Sequence, residues 1–206
     1  MLQVKEYQHV IDFWERFVKS DRFRNNWISD GVNPELQPTV KSYILSLGEP
    51  DNILDVGSGP VSILRNLFDD SKITTVDPLG EFYEKMFDFF SYRIVPPISL
   101  AGEEINYNCQ FSLVHISNAL DHCKDPHIVL SNLFKAVTNF GVVLVQGFVN
   151  EAEYENYSGL HQWNIDITEN GTMTINNEPK KYIPEFYQKV HLSSGKQWFI
   201  WAARKQ

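Results

Sequence analysis

The sequence predicts an α/β fold: a doubly wound, mostly parallel sheet in a three-layer αβα arrangement, preceded by an N-terminal helical extension. Two observations carry this. From Asn52 to Phe148, short apolar runs alternate with helical segments, the rhythm of right-handed crossovers between parallel strands. Near the C-terminus the rhythm stops: "QKVHLSS" and "KQWFIWAARK" follow one another through Ser194-Gly195 with no helix between them, which predicts an antiparallel hairpin at a sheet edge.

Taken in order, Tyr7, Val10, Ile11, Trp14, Phe17 and Val18 recur at three- and four-residue spacing and predict an amphipathic helix over 4–19. "GVNPELQP" interrupts it, and a second helix is expected from Thr39 to Leu47, stopped by Gly48. Residues 1–50 therefore read as a helical extension or lid, and 51–206 as the main domain. Within that domain the strands are "NILDV", "KITTVD", "RIVPPISL", "FSLVHIS" and "GVVLVQGF". The helices between them are Val61–Phe68, Glu81–Phe90 and Pro126–Thr138. "GTMTINN" reads as a further strand.

The chain has 206 residues, with 18 lysines and arginines against 26 acidic residues and a net charge of −8. With no basic cluster longer than Lys180-Lys181, nucleic acid is excluded as the main partner, because phosphate binding rests on grouped cations. No apolar run approaches the roughly 20 residues of a membrane span, and the opening "MLQVKEYQHV" lacks a signal-peptide layout, so a soluble, cytoplasmic protein is expected. Cys109 and Cys123 are too few for a disulfide framework or a cysteine-built zinc site. No cluster of metal ligands stands out in the linear spacing, and no metal is expected.

The chemistry centres on "ILDVGSGPVS", residues 53–62. Glycines after a strand let the backbone turn tightly and approach a ligand, and a helix starting near Val61 would direct its amides there. Asp77, in "TTVDP", falls 20 residues past Gly57, where doubly wound folds place an acid against ribose hydroxyls. A nucleoside-bearing ligand is implied. Asp55 beside the turn, and Pro60, Val61 and Ser62 after Gly59 with no third glycine, disfavour a pyrophosphate and favour a ligand carrying ammonium and sulfonium charge.

At these residues the sequence resembles the class I, Rossmann-like S-adenosylmethionine-dependent methyltransferases over roughly residues 50–150. "LDVGSGP" is similar to the family's acid-x-Gly-x-Gly turn, "VDP" to its ribose-binding acid, "LAGEEI" to its adenine-contacting segment, and "FSLVHISNALDHCKDP" to its fourth strand and catalytic loop. The resemblance implies a seven-stranded sheet with six parallel strands and one antiparallel, S-adenosylmethionine as cofactor, and direct methyl transfer. It implies that Asp55, Gly57, Ser58 and Gly59 hold the methionine portion, Asp77 the ribose, and Pro78 and Leu79 one adenine face. Glu103 would lie near the adenine amino group, with Glu104 as its competitor, and Ser117 and Asn118 would complete the donor site. Val61 departs from the family pattern, and Ser62 is available to compensate by capping the helix or by hydrogen-bonding the ligand.

Ligands of open α/β sheets lie beyond the carboxyl ends of the strands, so the acceptor site is sought after the fourth and fifth strands. His122 in "NALDHCKDP" and His161 in "YSGLHQWN" are the two candidate bases, with Asp121, Tyr157 and Trp163 as substrate contacts. His122 also has a purely structural reading as a loop-fixing hydrogen-bond partner, Trp163 one as packing, and His115 reads as a buried strand residue. Tyr7, Trp14 and Trp27 are available to line a lid. The expected partner is a small-molecule acceptor, methylated on oxygen and of the sugar or general metabolite class, with no membrane partner; a homodimer stays open. The rival readings are a NAD-dependent oxidoreductase and a SAM-binding protein without turnover.

Overall fold

The computed structural model describes residues 4–206; Met1, Leu2 and Gln3, which belong to the expected extension and to the stretch read for a targeting signal, lie outside them. The chain forms two compact units, one ending at Ala101 and one spanning Gly102–Gln206.

The first unit opens with α1 (Val4–Phe17), α2 (Asp21–Phe23) and α3 (Pro38–Ser46). The expected apolar face of α1 buries Tyr7 and Ile11. Ser20 caps α2 by accepting from the Phe23 amide at 3.1 Å, and a five-residue π-helical turn, Arg24–Ile28, follows directly. α3 starts at Pro38, whose fixed φ suits a first turn that needs no amide donor. Then come β1 (Ile53–Val56), β2 (Ile73–Asp77), α4 (Gly80–Met86) and β3 (Ile98–Ser99). All four residues of β1 are buried, as expected of a central strand covered on both faces.

Three expectations fail in this unit. The segment Val61–Phe68 is a series of turns, because side chains take over the amides a helix would use internally. Ser62 Oγ accepts from the Leu64 amide at 3.0 Å, Asp70 accepts from the Asn66 amide at 2.8 Å, and Asn66 itself has φ +62°. "RIVPPISL" shrinks to the two residues of β3, since Pro96 and Pro97 cannot donate to a ladder. α4 also stops at Met86, where Phe87 turns extended, stacks its ring on Tyr92 and meets Phe23 and Phe89 edge-on.

The second unit contains β4 (Phe111–Ser117), α5 (Pro126–Ala136), β5 (Val137–Phe148) and α6 (Glu151–Tyr154). After these come β6 (Ile165–Ile167), β7 (Met173–Ile175), β8 (Glu178–Pro179), β9 (Phe186–His191) and β10 (Gln197–Arg204). Asp125 caps α5 by accepting from the amides of His127 and Ile128 at 2.9 and 3.2 Å. A register shift against β4, near the left-handed Phe140, lets β5 start four residues earlier than the apolar run predicts. The predicted hairpin is present: β9 and β10 pair antiparallel from Gln197↔His191 to Ala202↔Phe186, with Gly195 at φ +83° in the turn. Trp201 of β10 is fully buried, and its indole Nε1 donates to the Gly171 carbonyl at 3.0 Å. Burying such a side chain contributes on the order of 3 kcal/mol.

The main sheet has seven strands in the order β3-β2-β1-β4-β5-β10-β9, with β10 alone running against the others. The six-plus-one expectation is met. β6, β7 and β8 form a separate three-stranded antiparallel sheet, of which the sequence reading recognised only the "GTMTINN" strand.

Candidate functional site

The first unit contains the glycine turn. Gly57 and Gly59 both have φ +64°, the left-handed conformation for which glycine was expected at these positions. The Val76 carbonyl accepts from the Gly57 and Ser58 amides at 2.8 and 3.3 Å, which ties the turn to the end of β2. Asp55 is buried, and its Oδ2 accepts from the Ser62 hydroxyl at 2.5 Å. Ser62 thus joins β1 to the segment after the turn, in place of the helix cap expected of it.

Asp77 sits at the end of β2, as predicted, but serves the fold as well as any ligand. It is 6% exposed; Oδ2 accepts from the Gly59 amide at 3.0 Å and Oδ1 from the Leu79 amide at 2.9 Å. Burial, partly offset by these amides and by the Tyr83 hydroxyl, pushes its carboxyl up to about 6. An ionised carboxylate offers about four acceptor positions, so room remains for a further donor such as a sugar hydroxyl. The residues therefore fit a nucleoside. Pro78 and Leu79 follow directly, with Leu79 buried.

Trp14 of α1 covers this turn. A Cβ built on Gly59 would lie 2.5 Å from the Trp14 ring, and the same ring meets Tyr83 edge-on at 6.0 Å between centroids. Gly59 is required twice, for its φ and for the space its missing side chain leaves to the indole. Trp27 lies farther along the aromatic chain, against Phe17 and Phe23.

In the second unit, the loop after β4 and the segment after β5 converge. Leu120–His122 forms a single 3-10 turn that presents a buried Asp121 beside His122. His161 arrives from 40 residues away: its Nδ1 lies 2.8 Å from Asp121 Oδ2 and 3.1 Å from His122 Nε2. The Asp121 hydrogen bond raises His161 above the usual imidazole range, against the opposing effect of burial. Both candidate bases and Asp121 are thus gathered at one point. No metal-ligand pattern is visible in the linear spacing, yet the ligand atoms of Asp121, His122 and His161 lie within 4.8 Å of one another.

Trp163 stands behind this cluster, donating from Nε1 to the Cys123 carbonyl at 2.8 Å and meeting His127 edge-on. That bond ties it to the loop after β4. Tyr157 is exposed, and its hydroxyl accepts from Asn164 Nδ2 at 2.9 Å. Glu103 Oε1 accepts from the Asp125 amide at 3.0 Å, so this carboxylate helps hold the start of α5. Ser117 ends β4, and Asn118 follows in the left-handed region with its amide on the Gln146 carbonyl at 2.8 Å. His115 is fully buried, with Nε2 at 2.9 Å from Gln146 Nε2, the structural role expected of it.

Glu151 is the residue that sequence reasoning missed. It opens α6 just past β5, is 6% exposed, and its carboxylate lies 3.9 Å from both His161 Nδ1 and Lys196 Nζ. Burial, reinforced by the charge on Asp121, pushes its carboxyl up to about 7. The rule that site residues follow the carboxyl ends of the strands would have flagged it. An open depression of about 520 Å³ lined by Val149, Asn150, Glu153, Tyr154, Gly195 and Gln197 contains none of the predicted residues.

No family model and no curated protein matches the chain. Solved structures do. The N-methyltransferase NodS from Bradyrhizobium japonicum WM9, in complex with S-adenosylhomocysteine, superposes with a TM-score of 0.59 at 13% identity, over 97% of this chain and 98% of that one. A SAM-dependent methyltransferase from Thermotoga maritima gives 0.58 at 14% identity, over 99% and 100%. The 1,6-didemethyltoxoflavin-N1-methyltransferase of Burkholderia thailandensis, with its substrate and S-adenosylhomocysteine bound, gives 0.54 at 15% identity, over 98% and 85%. With the seven-stranded order and the glycine turn that the sequence predicts, the chain has the fold of the class I S-adenosylmethionine-dependent methyltransferases.

Proposed function

We propose that this chain is an S-adenosylmethionine-dependent methyltransferase that methylates a hydroxyl of a small-molecule acceptor, of the sugar or general metabolite class. The observation that carries the reading is the Asp121–His161–His122 constellation beyond β4 and β5, on a fold that neighbours use for methyl transfer. The donor residues are Asp55, Gly57, Ser58 and Gly59 for the methionine portion, Asp77 for the ribose, and Pro78 and Leu79 for adenine, with Glu103, Ser117 and Asn118 completing the set. The covering of Gly59 by Trp14 supports α1 as a lid that excludes water from the donor.

S-adenosylmethionine supplies an already activated methyl group, so the chain's own task is alignment and proton removal. Alignment of two reactants is worth at most about 7–11 kcal/mol. Transfer to a hydroxyl releases its proton, and the imidazole pair takes it, with Asp121 orienting His161 and stabilising the resulting imidazolium. A general base of this kind contributes roughly 10²–10⁴-fold. Oxygen is preferred over nitrogen because the loop "NALDHCKDP" has no Asn-Pro-Pro-aromatic element. All three neighbours bear N-methyltransferase names, that of Thermotoga maritima as a possible histamine N-methyltransferase, which makes an amine the second reading.

The test is calorimetric titration with S-adenosylmethionine, S-adenosylhomocysteine and NAD in parallel, followed by a screen of hydroxylated and amine acceptors. Binding of the adenosyl compounds alone, with turnover on a hydroxyl, is expected. Binding of NAD alone would return the reading to an oxidoreductase; adenosyl binding with no turnover on any acceptor would leave a binding protein.

A further inference from the structure

We propose that Asp121, His122 and His161, backed by Glu151, form a binding site for one first-row divalent transition-metal ion of the zinc type.

Three ligand atoms converge. His122 Nε2 and His161 Nδ1 are 3.1 Å apart, His161 Nδ1 and Asp121 Oδ2 are 2.8 Å apart, and His122 Nε2 and Asp121 Oδ2 are 3.5 Å apart. The point equidistant from all three lies about 1.8 Å from each, so an ion at the usual distance of about 2.0–2.1 Å sits just out of their plane. A single proton cannot serve this triangle. The hydrogen on His161 Nδ1 goes to the carboxylate or to the facing imidazole, whereas a cation meets all three lone pairs at once.

The second observation is independent of the triangle. The Glu151 side chain is 8% exposed, and its buried Oε2 accepts no hydrogen bond while lying 3.9 Å from His161 Nδ1. An orphaned buried carboxylate oxygen costs free energy unless something meets it. It lies on the His161 side of the three converging atoms, as a further buried negative group beside them. The nearest cation, Lys196, is shared with Glu155, whose Oε1 it meets at 2.9 Å. Two buried carboxylates and two imidazoles suit a divalent ion in both charge and number.

Ligand chemistry selects the metal class. Imidazole nitrogens favour zinc, copper, iron or nickel over magnesium, calcium and manganese, which take oxygen. Cys123 is not part of the set, since its thiol is directed to the Ala119 carbonyl at 3.3 Å. A bound ion would occupy the lone pairs that otherwise accept the proton, so in the loaded protein the ion would instead lower the pKa of the acceptor hydroxyl, whose proton would leave to solvent; metal binding itself requires no nucleoside.

The test uses the full chain stripped with chelator and titrated with ZnCl₂ by calorimetry, with CoCl₂ as a spectroscopic probe of the ligand field. One equivalent per chain and a tetrahedral cobalt spectrum are expected. His122→Ala and His161→Ala should each weaken zinc at least about 100-fold, and Glu151→Gln about 10-fold, while His191→Ala changes nothing. Circular dichroism checks that each variant folds, and Asp121→Asn, which keeps the shape, must also lose affinity. Zinc binding that is absent, not stoichiometric, or unchanged in His122→Ala and His161→Ala would overturn the proposal. So would magnesium at the same concentration filling the site as well as zinc does.

Discussion

Acidification should weaken nucleoside binding through Asp77. Burial holds this carboxyl at about 6, against 3.8 for an ordinary aspartate, and a carboxylate receives ribose hydroxyls well only when ionised. If ligand binds the ionised form alone, affinity for S-adenosylhomocysteine is nearly flat from pH 7.5 to 6.5 and falls about tenfold by pH 5; an unshifted aspartate would give almost no change over that interval. Stability runs the other way. Because the folded pKa lies above the unfolded one, the folded state binds the extra proton between them. The unliganded protein is therefore penalised by about 3 kcal/mol above pH 6, and that penalty is relieved as the pH falls toward 4. The assay is calorimetric titration with S-adenosylhomocysteine at pH 7.5, 6.5, 5.5 and 5.0, in buffers of different ionisation enthalpy so that protons released are counted. Asp77→Asn keeps the shape and one acceptor oxygen, which serves either the Gly59 or the Leu79 amide, and should abolish the pH slope. Asp77→Ala, by contrast, removes both acceptors and should also destabilise the fold, because the Gly59 and Leu79 amides lose their partners. An affinity that is flat down to pH 5 in the native protein, or an equal slope in Asp77→Asn, would refute the reasoning.

Gly59→Ala forces a side chain into the Trp14 ring at φ +64°, and should lower stability by about 1–3 kcal/mol in urea denaturation; adding Trp14→Ala should recover only the steric part. Trp14→Ala alone should speed release of S-adenosylhomocysteine in stopped-flow experiments if α1 acts as a lid. Trp163→Phe removes the bond to the Cys123 carbonyl, costing about 0.5–1.5 kcal/mol of stability and lowering acceptor turnover more than donor affinity. Trp201→Ala empties a fully buried site and should cost about 3–5 kcal/mol in the same urea assay.

The sequence by itself determined what depends on neighbours along the chain. The apolar face of α1, the strands β1, β2 and β4, the helix starting at Pro126 and the hairpin at Ser194-Gly195 are all set by local spacing and by residues with special backbone freedom. So were Gly57, Gly59 and Asp77, because a tight turn and a strand-end acid follow from position alone. Where side chains compete with the backbone, local reading fails: Ser62 and Asp70 capture amides of a segment whose composition suits a helix, and Pro96 and Pro97 reduce a strand to two residues. Only the tertiary structure decided the chemistry of the histidines. His122 and His161 are 39 residues apart in sequence, and nothing in their spacing says that both face one Asp121 carboxylate with a buried Glu151 behind them. Parallel strands all end at the same edge of the sheet, so loops far apart in the chain meet beyond it, and the charges they bring acquire their strength from that meeting and from the water it excludes.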